Sequence, residues 1–183
     1  MRPIFTIHAG EYIVGSYLEQ KFKQFNIWVP SRDSGVDLLV TDQNNKKAVS
    51  LQVKFSKDFL PTHFKELYRR NYKSSGWWKF DSKKISRSQA DFWILVLYSQ
   101  EQKNTQFIII EPEELLKRLL SLGRKARFIQ SYLTVTSKNK CWETRGLKEN
   151  DQDAIVNGLY KDETRDYTDF LNQWDLIERK LVT

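Results

Sequence analysis

Cysteine is almost missing from this chain. The single Cys141 excludes an internal disulfide framework, and with it the small secreted scaffolds that depend on one. A lone thiol fits a reducing compartment, so the expected location is cytoplasmic. Histidine is nearly as scarce. His8 and His63 cannot build a zinc site with Cys141 at any usual spacing. Long apolar runs are also lacking, and none approaches the ~20 residues of a membrane helix. The N-terminus runs Met-Arg-Pro, with no charged region leading into an apolar one, so no signal peptide and no membrane partner are expected. Repeats, low-complexity segments and flexible linkers are absent as well. What remains is a chain of 183 residues, 40 % of them hydrophobic, enough for one well-filled domain.

Acidic charge is short in one half only. The net charge is +7. Residues 1–90 hold 16 Lys/Arg against 8 Asp/Glu, whereas residues 91–183 hold 14 against 15. The whole excess therefore sits in the first half. A one-sided basic field attracts phosphate backbones. The plainer reading is a solvated basic surface.

The periodicity gives a coarse order of elements. "AGEYIVGSYLEQKFKQF" (9–25) places apolar residues along one helical face. "IWVP" (27–30) reads as a short strand stopped by Pro30. "GVDLLVTD" and "AVSLQVKFS" read as strands joined by "QNNKK", whose Asn-Asn favours a turn. "THFKELYRRNYKSS" (62–75) reads as a helix with Thr62 as its N-cap and Gly76 past its end. "DFWILVLYS" (91–99) and "TQFIIIE" (105–111) are buried strands. "PEELLKRLLSLG" (112–123) is a helix opened by Pro112 and closed by Gly123. Beyond 124, "FIQSYLTVTS" suits a strand and "YTDFLNQWDLIERKL" (167–181) a terminal helix. The sum is an α/β sandwich, helices flanking a mixed central sheet.

Within that order three polar residues stand out. On the strand 49–55, Gln52 and Lys54 share a face, while Leu51, Val53 and Phe55 share the other. If 36–41 pairs with 49–55, Asp37 lies near the Gln52 and Lys54 end of its partner. A carboxylate and an amide oxygen are hard ligands suited to Mg²⁺. The ammonium can hold an attacking hydroxide and neutralise charge on a phosphoryl group. Each residue also has a plain reading. Asp37 can be a strand-start turn residue, Gln52 a satisfied buried amide, and Lys54 a snorkelling lysine.

The spacing "GVD…(14 residues)…QVK" resembles the core of the PD-(D/E)XK nuclease superfamily. The match is Asp37, then Gln52-Val53-Lys54. Gln52 stands where the usual form has Asp or Glu. A Gln form is typical of the Mrr-type restriction endonucleases and of a homing-endonuclease-like branch. That branch has a preceding helix that opens with Gly-Glu, and Gly10-Glu11 matches it. Glu19 is a rival for the same role, and Glu11 can equally be an acid favoured by the helix macrodipole. The resemblance covers roughly residues 8–111. It implies a restriction-endonuclease-like core (1–123), with 124–183 as a C-terminal extension packed on the same domain. It implies a metal-dependent DNA endonuclease whose metal ligands are Glu11, Asp37 and Gln52 and whose catalytic lysine is Lys54. Mg²⁺ is the expected cofactor, with Mn²⁺ as a substitute. Two carboxylates and a neutral amide hold one such ion more naturally than two. A dimer or tetramer is expected, because cutting both strands takes two sites. Two alternatives remain open: a Holliday-junction or other structure-selective nuclease, and a catalytically silent DNA-binding protein of the same fold.

The segment 64–87 adds eight basic residues against two acids, interleaved with aromatics. Basic residues grip phosphate and aromatics can stack on bases, although at least half of these rings are expected in the core. Read as a helix, Lys65, Arg69 and Lys73 share a face, with Arg70 beside them. Lys83, Lys84 and Arg87 fall in a polar loop before the strand at 91 and look most like phosphate contacts. Arg32 and Ser34, just ahead of Gly35, are placed to reach the same substrate.

Overall fold

The computed structural model describes residues 8–32, 34–57, 65–100, 103–123 and 126–182. Helix α1 (Ala9–Lys21) leads into three antiparallel strands, β1 (Phe25–Trp28), β2 (Leu38–Asp42) and β3 (Ala48–Lys57). A crossover carries the short helix α2 (Glu66–Asn71), strand β4 (Tyr72–Asp81) and helix α3 (Ser82–Ser86). Strands β5 (Phe92–Ser99) and β6 (Asn104–Ile110) follow, then helix α4 (Pro112–Ser121). The remainder comprises β7 (Phe128–Thr136), β8 (Cys141–Glu143), α5 (Glu149–Asn157), a 3₁₀ turn (Thr168–Phe170) and α6 (Asp175–Val182).

The central sheet has five strands in the order β1-β2-β3-β5-β6. β3 and β5 run parallel and every other pair is antiparallel, so the sheet is mixed. β5 lies inside the sheet and is buried on both faces, which explains its unbroken apolar run. The hairpin between β2 and β3 is held by Asp42, whose Oδ1 accepts from the backbone N–H of Lys46 (2.7 Å) and Lys47 (2.8 Å). Asn45 takes the left-handed conformation there, as a turn asparagine can.

One face of the sheet packs against α1 and α6 through Val14, Leu18, Trp174, Ile177 and Leu181. The other face, carrying Trp93, Leu95, Leu97, Ile108 and Ile110, packs against Leu115 and Leu119 of α4 and against a second sheet. That second sheet has the order β4-β7-β8. It joins β4 to strands that come far later in the chain, Asp81 pairing with Phe128 and Tyr72 with Thr136. None of the described helices is long and apolar enough to cross a membrane.

Several expectations are corrected. The helix read over 62–75 is shorter than expected: among its described residues only Glu66–Asn71 is helical, and the chain turns into β4 at Tyr72. Its expected N-cap, Thr62, lies outside the described residues. Nine residues of β4 pair with β7, and that pairing outweighs a local pattern that also fits a helix. The loop expected around Lys83 and Lys84 is a one-turn helix, capped by Asp81, whose Oδ1 accepts from the Lys83 N–H at 3.0 Å. The first helix stops at Lys21 rather than 25, since Phe25 is already committed to β1. The terminal helix spans Asp175–Val182, not 167–181.

Candidate functional site

The site lies just ahead of β2. β2 starts at Leu38, opposite Leu51, so β3 runs on past its partner. The backbone N–H of Asp37 still reaches the Leu51 carbonyl (2.8 Å). Beyond that point Val53 has no β2 residue to bond with, and the side chain of Asp37 takes over. Its Oδ2 accepts from the Val53 N–H at 2.7 Å. The same oxygen accepts from the Gln52 amide. Gln52 is 8 % exposed, so this bond satisfies a donor that water does not reach well. Among the described residues, neither Asp37 Oδ1 nor Gln52 Oε1 has a hydrogen-bond partner. Gly35, at φ +81°, turns the chain into this corner, and a Cβ added there would stand 3.9 Å from Gln52 Oε1.

Lys54 lies two residues on and is half-buried. Its Nζ sits 5.5 Å from the centre of the Trp93 ring, the residue paired with Gln52 across β3 and β5. Its backbone carbonyl accepts from the Trp78 indole at 3.3 Å. One tryptophan therefore holds the backbone of this lysine and the other faces its ammonium. Trp78 in turn folds over Gly76, where an added Cβ would fall 2.3 Å from the indole.

Glu11 comes from the other face of the sheet. The first turn of α1 presses directly onto β3, and Gly10 allows it: a Cβ there would lie 2.7 Å from Phe55 Cβ. This is the physical need behind the Gly-Glu opening of the helix. The Glu11 carboxylate accepts from the His8 N–H at 3.0 Å, which satisfies one of the helix's orphan donors. It is thus a helix-end acid and a lining residue of the site at once.

These side chains share one cleft of about 780 Å³. Glu11, Asp37, Gln52 and Lys54 line it, as do Ser34, Lys83, Lys84 and Arg87. Residues without any sequence signal join them: His8, Asp81, Ser88, Gln89, Trp93 and Arg127. Arg127 reaches the cleft because β7 pairs with β4, which sets Phe128 opposite Asp81. It donates to Asp81 at 3.0 and 3.2 Å, and this guanidinium holds the Asp81 carboxyl below the usual carboxylate range. Lysine and arginine side chains outnumber carboxylates in the lining by five to three.

The other expected contacts lie elsewhere. Lys65 pairs with Glu149, Arg70 with Glu66, and Lys73 donates to Asn139 (2.6 Å). None of these three lines the cleft. Lys73 belongs to β4, so the helical face proposed for it with Lys65 and Arg69 does not exist. Arg32 is exposed and does not line the cleft, and the Arg69 side chain lies outside the described structure. Glu19 lies on the exposed side of α1, away from the cleft. Of the aromatics in this segment, Tyr68, Tyr72, Trp78 and Phe80 are buried and Trp77 is exposed; Phe64 lies outside the described residues.

Among the described residues, no three of His, Cys, Asp and Glu gather into a metal cluster. The donor set at hand is two carboxylates and an amide oxygen on neighbouring elements, with Asp37 Oδ1 and Gln52 Oε1 both unengaged. That chemistry suits a hard divalent cation that keeps several waters. The Gln52 NH₂ is held by the Asp37 carboxylate, which leaves the amide oxygen facing away from that bond. Compared with protein-family models, curated proteins and solved structures, the chain matches none.

Proposed function

We propose that the protein is a metal-dependent DNA endonuclease of the PD-(D/E)XK kind, with a restriction-endonuclease-like core. One observation carries this reading: a single cleft joins Glu11, Asp37, Gln52 and Lys54 to the cations Lys83, Lys84, Arg87 and Arg127. The order α1, three antiparallel strands, a crossover and a parallel β5 supports the fold assignment. Glu11, Asp37 and Gln52 hold the ion, Mg²⁺ or in its place Mn²⁺. Such an ion supplies charge neutralisation on phosphoryl oxygens and a nucleophilic water at neutral pH. Lys54, steadied by Trp93 and Trp78, sets its ammonium against the scissile phosphate and the attacking oxygen. Lys83, Lys84, Arg87 and Arg127 seat the DNA backbone by charge, which fixes position without reading sequence.

The test is nicking of a plasmid with Mg²⁺ and with Mn²⁺, wild type against Lys54→Ala. The variant is expected to lose roughly 10²–10³-fold in rate, the scale of one electrostatic donor at a reacting centre. Its affinity for DNA should remain. A Lys54→Ala protein that cuts at the wild-type rate overturns the reading. A second reading, a DNA-binding module without catalysis, is favoured by the Gln52 amide donating to Asp37. It requires DNA binding with no cleavage under either metal.

A further inference from the structure

The outer face of the second sheet extends the cleft sideways. Its inner face is core: Trp78, Phe80, Ile129 and Leu133 are all buried. The alternating residues point the other way. Trp77 is 38 % exposed and pairs with the half-buried Tyr132. Two residues on, the exposed Lys79 pairs with Gln130. Two further on, Phe128 pairs with Asp81 and is 50 % exposed. Lys79 Nζ stands 4.9 Å and Arg127 Cζ 5.1 Å from the Phe128 ring centre. The one acid on these rungs, Asp81, is already taken by Arg127. Asp81 and Arg127 also line the cleft, so the face and the cleft are continuous.

The geometry points to a binding surface for single-stranded DNA on the outer face of β4 and β7. Exposed rings alone would suit a contact between proteins. Rings flanked by cations, on rungs where the one carboxylate among the described residues is paired with Arg127, suit bases and the phosphates between them. Flat rings on a sheet can stack only on bases that are unpaired, because a duplex keeps its base faces covered. The rungs of Trp77 and Phe128 lie four residues apart, about 13 Å along the strands, which leaves room for bases to enter between them. The surface goes beyond the endonuclease reading and does not need cleavage in order to bind.

The experiment measures anisotropy of a labelled 20-nucleotide oligo(dT) and of a 20-base-pair duplex, in EDTA so that nothing is cut. The proteins are wild type, the double variant Trp77→Thr with Phe128→Thr, and a tyrosine control, Trp77→Tyr with Phe128→Tyr. Threonine suits an exposed strand position and preserves the sheet, which circular dichroism checks. Wild type should bind oligo(dT) more tightly than the duplex. The double variant should lose roughly 10- to 100-fold for oligo(dT), from two stacking rings, and change little for the duplex. Trp77→Tyr with Phe128→Tyr should keep most of the single-strand affinity. All of these affinities are read in EDTA, so the surface stands or falls whether or not the protein cuts DNA, and the two readings fail separately. Equal losses for both DNAs, or no loss from a folded double variant, overturn the surface. So does an unchanged oligo(dT) affinity together with altered self-association in sedimentation, which would assign the face to a contact between copies.

Discussion

Glu143 and Asp37, two acids held against β-strands, meet quite different surroundings. Glu143, on β8, is fully buried and fully enclosed. Arg165 donates to its Oε2 at 2.6 Å and to its backbone carbonyl at 3.1 Å. Ser131 Oγ and the Tyr132 N–H approach its other oxygen at 3.4 Å. Every side of that carboxylate is spoken for. Asp37 has one oxygen engaged twice and the other open to a cleft full of cations. A closed carboxylate holds a fold together. A half-closed one is positioned by the fold yet keeps coordinating capacity, which is what a site for an ion or a phosphate needs. The comparison separates structural acid from candidate functional acid by counting what each oxygen touches.

The closed pair can be broken outright. Arg165→Ala leaves Glu143 charged, buried and uncompensated, and should cost about 3–5 kcal/mol in urea unfolding. Arg165→Met with Glu143→Leu removes both charges and should recover most of that loss. If Arg165→Ala unfolds at the wild-type midpoint, the Glu143 charge does not depend on Arg165 for compensation. Cleavage measured below the transition should be unaffected, because neither residue lines the cleft.

The open site responds to a different change. Gln52→Glu replaces the amide donor with a second carboxylate against Asp37. Two such groups need a shared proton or a cation. In EDTA the variant should melt lower by roughly 4–8 °C, from a lost charge-assisted hydrogen bond worth about 2 kcal/mol in a chain of this size. Mg²⁺ should restore most of that loss and move wild type less. The same variant should cut at lower Mg²⁺ concentrations than wild type. A folded Gln52→Leu should not cut. If Mg²⁺ leaves the melting of Gln52→Glu unchanged, the corner between Asp37 and residue 52 is not where the ion sits.

How much of this could be read beforehand follows from the range of the interactions. The pairing of β2 with β3 is a short hairpin, so strand alternation alone brought Asp37 to Gln52 and Lys54. The Gly-Glu opening of α1 could be noticed in the sequence, but its reason could not: Gly10 is needed because Phe55 presses on it. The start of β4 reads as helix because Lys65, Arg69 and Lys73 recur at helical spacing. The partner that makes 72–81 a strand lies at 128–136. The same distant pairing brings Arg127 into the cleft, and nothing near Arg127 announces it. The direction of the Gln52 amide depends on which neighbour offers an acceptor, and that is known only once Asp37 is in place.

Asp91 lies between the two extremes and gives the finest test of the comparison. Its Oδ2 accepts from the Ser50 N–H and hydroxyl, both at 2.8 Å, and its Oδ1 from Lys180 at 3.1 Å. These bonds tie the start of β5 to β3 and to α6. Burial pushes its pKa up, but the Ser50 bonds and the Lys180 charge outweigh burial and leave it below the usual value. A depressed carboxylate stabilises the fold at pH values above its unfolded pKa of about 3.9, and that contribution fades as the pH falls through the lower folded value. The side chains of Asp91 and Lys180 are 34 % and 43 % exposed, so solvent screens the ion pair and the hydrogen bonds carry most of the effect. Asp91→Ala should therefore cost only about 1 kcal/mol at pH 7. Urea midpoints of wild type and variant, taken at pH 7, 5, 4 and 3, should converge below about pH 4. A gap that stays constant down to pH 3 would show that the charge of Asp91 contributes nothing. The acid would then belong with neither Glu143 nor Asp37, and Ser50 would be held by geometry alone.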